Sequence, residues 1–411
     1  MIKNVFQFIL LIILLAAQTS CYLSRAIKYR NFELKDIAKF DSDTLHKSTN
    51  PFRFIPADVQ SPWKTFLDTS LQNSQTYSFL VIRNDSILYE NYWMGTNSHT
   101  LYPSFSVSKS FVATLISIAL KEGKIKSLNE PFTNYIPELL KRDPRFGTIT
   151  IQHLLDMRSG IKSSEDYYNP NSDVLKMGFG SNIWAQIKNL KIEKTPGEFE
   201  YKSVNTQLLG IVVERATGIR LQDYIQQKIW QPLGMESDAT WNIDSKKKRM
   251  VRAFCCINAI SMDFAKLGRL YLNNGNWNGT QILPEDWVKR TADIDTMVTY
   301  QGYKNQWWSN EYSYSFDDSL AALNHIRKTP NFEPSVYVYK RKADPEKNIT
   351  AKTYYYVYYL KPMYHAEGIL GQYIYVYPEK NLIIVRTGHN WSHSKYRAAD
   401  HFIYELGEKY F

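Results

Sequence analysis

The chain has 411 residues, of which 44% are hydrophobic and 22% charged, enough apolar material for one large or two ordinary cores and too much for a disordered chain. Its formal charge of +10 comes from basic residues spread along the whole length, with Lys246 to Arg249 the one dense run. A nucleic-acid binder needs a basic face on a recognisable module, and none is present, so no nucleic-acid partner is expected. Glycine-rich phosphate loops and the His-Glu-x-x-His pattern are absent, so neither a cofactor nor a metal is expected.

At the N-terminus Met1-Ile-Lys-Asn4 precedes the apolar run Val5 to Ala17 and then Gln18-Thr-Ser-Cys21. This has the form of a signal peptide, with a run too short for a comfortable membrane span. A cysteine directly after a small residue resembles a bacterial lipoprotein cleavage site, although Gln18 stands where an aliphatic residue is usual. The expectation is that residues 1–21 form a lipoprotein-type signal with lipidation at Cys21, exporting the protein to the periplasm or outer membrane with the lipid anchor as its membrane contact. Simple secretion and an uncleaved anchor are the alternatives.

Residues 79–83 and 87–93 are β-type runs separated by Asn84-Asp85-Ser86, which predicts a hairpin. Next comes Ser106-Val-Ser-Lys109, leading into Phe111 to Leu120, with apolar residues at helical spacing and a stop at Gly123. Serine is a weak nucleophile that needs a base within hydrogen-bond reach, and residues three apart on a helix share a face, so Lys109 can serve Ser106 if burial keeps it partly neutral. First-turn N–H groups also lack intrahelical partners and can bind an oxyanion.

Ser-x-x-Lys occurs five times, at Ser61, Ser106, Ser159, Ser245 and Ser392. Ser61 precedes Pro62, Ser159 precedes Gly160 and Ser245 lies in the basic run, so these three read as loops. Only Ser106 and Ser392 open plausible helices, and only the Ser106 helix has a strongly buried pattern.

Further along, short helices are expected over 131–140 and from Thr150 to Gly160, where His153 reads as packed or exposed rather than catalytic. Residues 162–182 read as an irregular loop bordering a cleft. Tyr201 sits in a short link before a helix spanning 208–218; another runs over 221–230, and a third over 262–272. Cys255 and Cys256 are adjacent, with Cα atoms about 3.8 Å apart, closer than relaxed disulfide geometry, which predicts free buried thiols. Residues 309–362 hold nine tyrosines, among them Tyr312, Tyr337 and Tyr354 to Tyr356, and read as a β-rich insertion. Strands are expected at 371–377 and 382–386, then a C-terminal amphipathic helix from Ser392.

Several segments together resemble one family: the serine hydrolases of the class C β-lactamase, penicillin-binding-protein and esterase superfamily, closest to its 6-aminohexanoate-dimer-hydrolase-like branch. They are Ser106-Val-Ser-Lys109, Ile149 to Gly160, Pro196-Gly-x-x-Phe-x-Tyr201-Lys-Ser203-x-Asn205, Gly302-Tyr-x-x-Gln306-Trp-Trp308 and Gly368-x-x-Gly-Gln372. The resemblance covers about residues 78–388. It implies an α/β (α+β) fold of β-lactamase/transpeptidase type, with an antiparallel sheet flanked by helices, a mostly helical second region over 106–255, and one catalytic domain over 22–411. It also implies that Lys109 assists Ser106, that Tyr201 relays a proton to the leaving group, and that the N–H groups of Ser106 and Ile369 form the oxyanion hole.

Two departures bear on the substrate. Tyr201-Lys-Ser203 stands where many relatives have Tyr-x-Asn, and Ala366-Glu367-Gly368 stands in place of Lys-Thr-Gly. Ser203, Ala366 and Gly368 are the expected substrate-binding positions. The lysine of that triplet normally faces a substrate carboxylate, so neutral esters and amides are expected to be preferred over β-lactams. If 366–368 is extended, Ala366 and Gly368 share one face and Glu367 the other; His365 would reach the site only through a local bulge. The expected function is a serine hydrolase acting on a small ester or amide through an acyl-enzyme. A D,D-peptidase or β-lactamase is the alternative, and a non-catalytic binding lipoprotein on the same fold is the alternative of another class.

Overall fold

A computed structural model describes residues 22–29, 31–292, 302–328, 334–341, 343, 350–392 and 399–411. The signal-type segment with Cys21 lies outside the described residues, as does part of the segment after Ser392.

The expected hairpin is formed by β1 (Thr76–Arg83) and β2 (Ser86–Tyr92). With β3 (Trp307–Phe316), β4 (Pro334–Arg341), β5 (Lys352–Gly368), β6 (Gln372–Tyr377) and β7 (Leu382–Gly388) it belongs to one sheet of nine strands among the described residues. From β3 the order runs β5, β6, β7, β1, β2, with all these pairs antiparallel; only the two-residue edge piece Ile55–Pro56 pairs in parallel. Thus the N- and C-terminal parts of the chain meet at the β1–β7 pair in the middle of the sheet.

Side chains alternate across a strand, and both faces of this sheet are covered. Phe79 and Val81 face helix α1 (Pro62–Leu71) and helix α5 (Ala399–Tyr410), together with Tyr375, Tyr377 and Ile384. Leu80 and Ile82 point the other way, with Ile374, Ile383 and Val385, into the larger core that contains α2 (Ser108–Lys121), α3 (Ser203–Thr217) and α4 (Ser261–Leu272). Gly268 lets α4 lie on the sheet: a Cβ there would be 2.9 Å from Ile383 and 3.0 Å from Ile374. The segment between β2 and α4 is mainly helical, in keeping with the implied second region.

Four expectations are corrected. Residues 162–182 are not one irregular loop: they contain the helix Asp173–Phe179, capped by the Ser172 hydroxyl. Ser61 does open a helix: it is the extended N-cap residue, and Pro62 is the first residue of α1, because the first helical N–H has no intrahelical partner to lose. The β-rich insertion also contains the helix Ser319–Lys328, whose Ala322 and Ile326, one turn apart, pack with Val357 and Phe316. Cys255 and Cys256 are not free thiols: they form a disulfide across a single peptide bond with Cα atoms 3.7 Å apart. The backbone turns to bring the two side chains together, Cys256 taking a left-handed φ of 74°.

Candidate active site

Ser106 lies in the 3-10 turn Phe105–Val107 that runs directly into α2. Phe105, just before it, has φ of 43°, a conformation that side chains other than glycine seldom adopt and that surrounding contacts must enforce. Here the enforcement is visible. Ser104 N–H donates to the Ile257 carbonyl (2.7 Å), and Ile257 N–H donates back to the hydroxyls of Ser104 (3.0 Å) and Ser108 (3.2 Å). The turn is thereby fastened to the strand Ile257–Ala259 and leaves Phe105 and Ser106 half-buried between the buried Ser104 and Val107.

Helix α2 is buried on all sides from Ser108 to Ala119, so Lys109 enters the interior with it and is 1% exposed. Its Nζ lies 2.8 Å from Ser106 Oγ and 2.9 Å from the Phe254 carbonyl. No carboxylate pairs with it among the described residues, and burial therefore pushes its ammonium down to about 8, with the more distant Glu165 charge opposing. The ring of Tyr201 packs beside it, centroid 5.1 Å from Nζ. Burial raises the Tyr201 phenol well above its ordinary range; Tyr303 and Tyr167 add to this, and a hydrogen-bonding contact with Ser106 acts the other way. Ser106, Lys109 and Tyr201 are thus brought together.

Behind Tyr201 stands an aromatic wall from the Gly302–Trp308 segment. Trp308 stacks on Tyr201 at 5.6 Å and Tyr303 meets it edge-on at 5.7 Å. Gln306, two residues before Trp308, anchors this wall to three helices: its amide donates to Leu154 and Leu155, it accepts from Thr206, and its carbonyl accepts from Ser110.

The end of β5 closes the other side. Gly368 packs on the turn so tightly that a Cβ would lie 2.4 Å from the Ser104 carbonyl and 3.2 Å from Phe105, a distance no other residue could accept. Ile369 follows and is 41% exposed beside that contact. Its carbonyl accepts from Gln372 Nε2 (3.2 Å), and Arg386 donates to the Gly371 carbonyl (2.6 Å), so the short turn is braced from behind. The β5–β6 register is regular from Tyr364 to Gly368. Ala366 therefore shares its face with Gly368 and is buried against the larger core, whereas His365 stacks on Tyr375 at 4.5 Å and lies 3.5 Å from Glu367. No bulge turns His365 to the Gly368 face, which removes it as a stand-in for the absent lysine.

Ser203 is buried at the first position of α3, and its hydroxyl is engaged by Glu165, a residue that the sequence pattern does not single out. Glu165 comes from the loop expected to border the cleft, but an acidic residue in a polar loop carries no signal of its own. The same holds for the Phe254 carbonyl, since a backbone acceptor is invisible in a residue pattern. His153 forms a capping box with Thr150 at the start of the helix Ile151–Leu155.

This two-part arrangement, a serine turn packed on the end of an interior strand of an antiparallel sheet with a helical region facing it, is the architecture of the β-lactamases and penicillin-binding proteins. The Beta-lactamase family model matches residues 67–406, and the chain belongs to that family. Among curated relatives it is 28% identical over 264 residues to the 6-aminohexanoate-dimer hydrolase of Paenarthrobacter ureafaciens; the match covers 59% of this chain and 66% of the relative, just under two thirds of its length. Among solved structures, a candidate 6-aminohexanoate-dimer hydrolase from Bacillus anthracis superposes with a TM-score of 0.64 at 21% identity, covering 92% of each chain. A penicillin binding protein from Bacillus halodurans superposes with a TM-score of 0.54 at 17% identity, over 81% of this chain and 96% of that one.

Proposed function

We propose that the chain is a serine hydrolase that cleaves an ester or amide through an acyl-enzyme on Ser106. The observation that carries this is a buried lysine with no carboxylate partner, its Nζ 2.8 Å from the serine oxygen and its ammonium pushed down to about 8. Neutral Lys109 takes the Ser106 proton as Oγ bonds to the substrate carbonyl carbon. The carbonyl oxygen becomes negative and is received by the N–H groups of Ser106 and Ile369. Tyr201 gives its phenolic proton to the departing alkoxide or amine, and the Lys109 ammonium restores it. Water then attacks the acyl-serine, its proton passing to the same Lys109–Tyr201 pair, and the acid leaves with Ser106 reprotonated.

An exposed ammonium opposite the substrate carboxylate is missing, because Ala366 occupies that strand position and is buried. An anionic substrate gains no charge-assisted hydrogen bond there, so neutral esters and amides are the preferred class. Similarity to a 6-aminohexanoate-dimer hydrolase makes that dimer one of the amides to assay.

Labelling with a fluorophosphonate probe tests the reading. Wild type should be labelled and Ser106→Ala should not, while remaining folded by circular dichroism. On the same preparation a p-nitrophenyl ester should have a higher kcat/KM than a chromogenic cephalosporin. Labelling that survives Ser106→Ala overturns the mechanism, a faster cephalosporin points to the D,D-peptidase or β-lactamase alternative, and an unlabelled wild type points to a binding protein.

A further inference from the structure

We infer that Glu165 is a positioning residue for this reaction: it holds the Tyr201–Ser203 link through Ser203 and keeps a counter-charge facing Lys109 and Tyr201. The inference rests on the acyl-enzyme reading and adds a residue to it.

The contacts are specific. Glu165 accepts from the Ser203 backbone N–H (2.8 Å), from the Ser203 hydroxyl (2.5 Å) and from the Tyr167 hydroxyl (3.0 Å). Helix α3 begins at Ser203, and its N-cap residue Lys202 makes no side-chain cap. Glu165 therefore supplies from another segment the acceptor that the first turn lacks, at the helix end where negative charge is favoured. Tyr201 is two residues upstream, so fixing Ser203 fixes the approach of the phenol to Ser106. A hydroxyl has one proton, and that of Ser203 is given to Glu165; toward the site Ser203 offers only lone pairs.

The charges around this carboxylate are few. Lys109 faces it from α2, Tyr201 from the link before α3, Tyr303 from the aromatic wall and Tyr167 from its own loop. Lys202 turns away to the Ile161 carbonyl, Glu193 and Glu200, and Asp166 caps the backbone of Tyr168 and Asn169. Lys109 is thus the one cation in this group of facing residues, and the Glu165 charge favours its protonated form. Without a counter-charge Lys109 would be neutral over a wider pH range; with it, the lysine is held near the point where it can both take and return a proton.

Glu165→Gln keeps the shape and removes the charge, whereas Glu165→Asp keeps the charge and shortens the reach. The rate of fluorophosphonate labelling, followed from about pH 5 to about pH 10, should rise with Lys109 deprotonation; the limb should move to lower pH by about half a unit or more in Glu165→Gln and stay in place in Glu165→Asp. Ser203→Ala should slow labelling without moving the limb. A Lys109 titration read by NMR from lysine carrying 13C beside Nζ, assigned with Lys109→Arg, should show the same downward shift in Glu165→Gln, whether or not any substrate is turned over. Coincident limbs and coincident titrations in wild type and Glu165→Gln, or equal shifts in the Gln and Asp variants, overturn the inference. Loss of labelling in wild type with the NMR shift intact would fault the acyl-enzyme reading instead.

Discussion

Two lysines sit in the interior of this protein under opposite conditions. Lys266, fully buried on α4, is 3.0 Å from the buried Asp263, 3.1 Å from Glu236 and 2.7 Å from the Gly234 carbonyl. Lys109, buried almost as completely on α2, has a serine hydroxyl and one backbone carbonyl. A buried ammonium is tolerated when carboxylates and acceptors replace its water, as at Lys266. There Asp263 also receives the backbone N–H groups of Glu236 and Ser237, and so ties the chain ahead of the strand Ala239–Asn242 to α4. The same residue type left without a carboxylate is destabilised in its charged form and becomes available as a base. What distinguishes the two lysines here is the partner set, and burial alone does not separate them.

The sharpest way to break this comparison is to replace each lysine by methionine. Lys109→Met should reduce fluorophosphonate labelling on the order of a thousandfold or more, because nucleophile and base act as one unit. Its Tm at neutral pH should be unchanged or higher. The sign follows from linkage: the folded-state ammonium titrates near 8 and the ordinary value is 10.5, so below pH 8 the native state carries a buried charge, and removing it relieves at most about 3 kcal/mol. Lys266→Met should do the reverse. It strands Asp263 in the core and should cost about 3–5 kcal/mol, read by denaturant unfolding, while the molecules still folded label at the wild-type rate. A Lys109→Met protein as destabilised as Lys266→Met would mean that the two sites are built alike.

A second test uses pH. In the proposed mechanism the working form of Lys109 is the neutral one, so labelling should fall about tenfold for each unit below pH 8 and level off above it. Stability should move in the same direction over the window from about 8 to 10.5, since there the unfolded chain binds the proton that the native state does not. Flat labelling from pH 6 to pH 9 would exclude Lys109 as the base.

These contrasts explain which parts of the molecule were legible in the sequence. The apolar run behind Ser106 could mean only a buried helix, and the hairpin 76–92 announced itself by two β-type runs around Asn84-Asp85. The candidate Ser106–Lys109 pair was legible because the serine and lysine share one local motif. Tyr201 stood out through the segments around it, since one tyrosine among thirty carries no signal. Glu165 and the Phe254 carbonyl were hidden because each reaches the site from a distant segment, 38 residues before Ser203 and 145 residues after Lys109. The Cys255–Cys256 bridge was misjudged for a different reason: spacing argues from relaxed geometry, whereas the chain adopts a left-handed residue at Cys256 that spacing does not reveal.

That bridge provides the last and smallest contrast between the two lysines. The ring it closes spans adjacent residues, so it removes little freedom from the unfolded chain, far less than the roughly 3 kcal/mol of a 15-residue loop, and its reduction should shift Tm only slightly. Its position matters more than its entropy. Cys255 directly follows Phe254, whose carbonyl holds Lys109, and Cys256 directly precedes Ile257, whose N–H fastens Ser104 and Ser108. Lys266 has no anchor in this segment: its contacts are Gly234, Glu236 and Asp263. Reduction by a dithiol, or the double substitution Cys255→Ser with Cys256→Ser, should therefore slow labelling of Ser106 by a modest factor, on the order of two- to tenfold for an anchor loosened rather than removed. The Lys266 knot, read by global unfolding, should be nearly untouched. Thiol titration of the native protein with and without reductant establishes that the bridge was present and then opened. Labelling equal in both states would show that the Phe254 carbonyl keeps its place without help from the ring, and would leave Lys109 dependent on the fold around it alone.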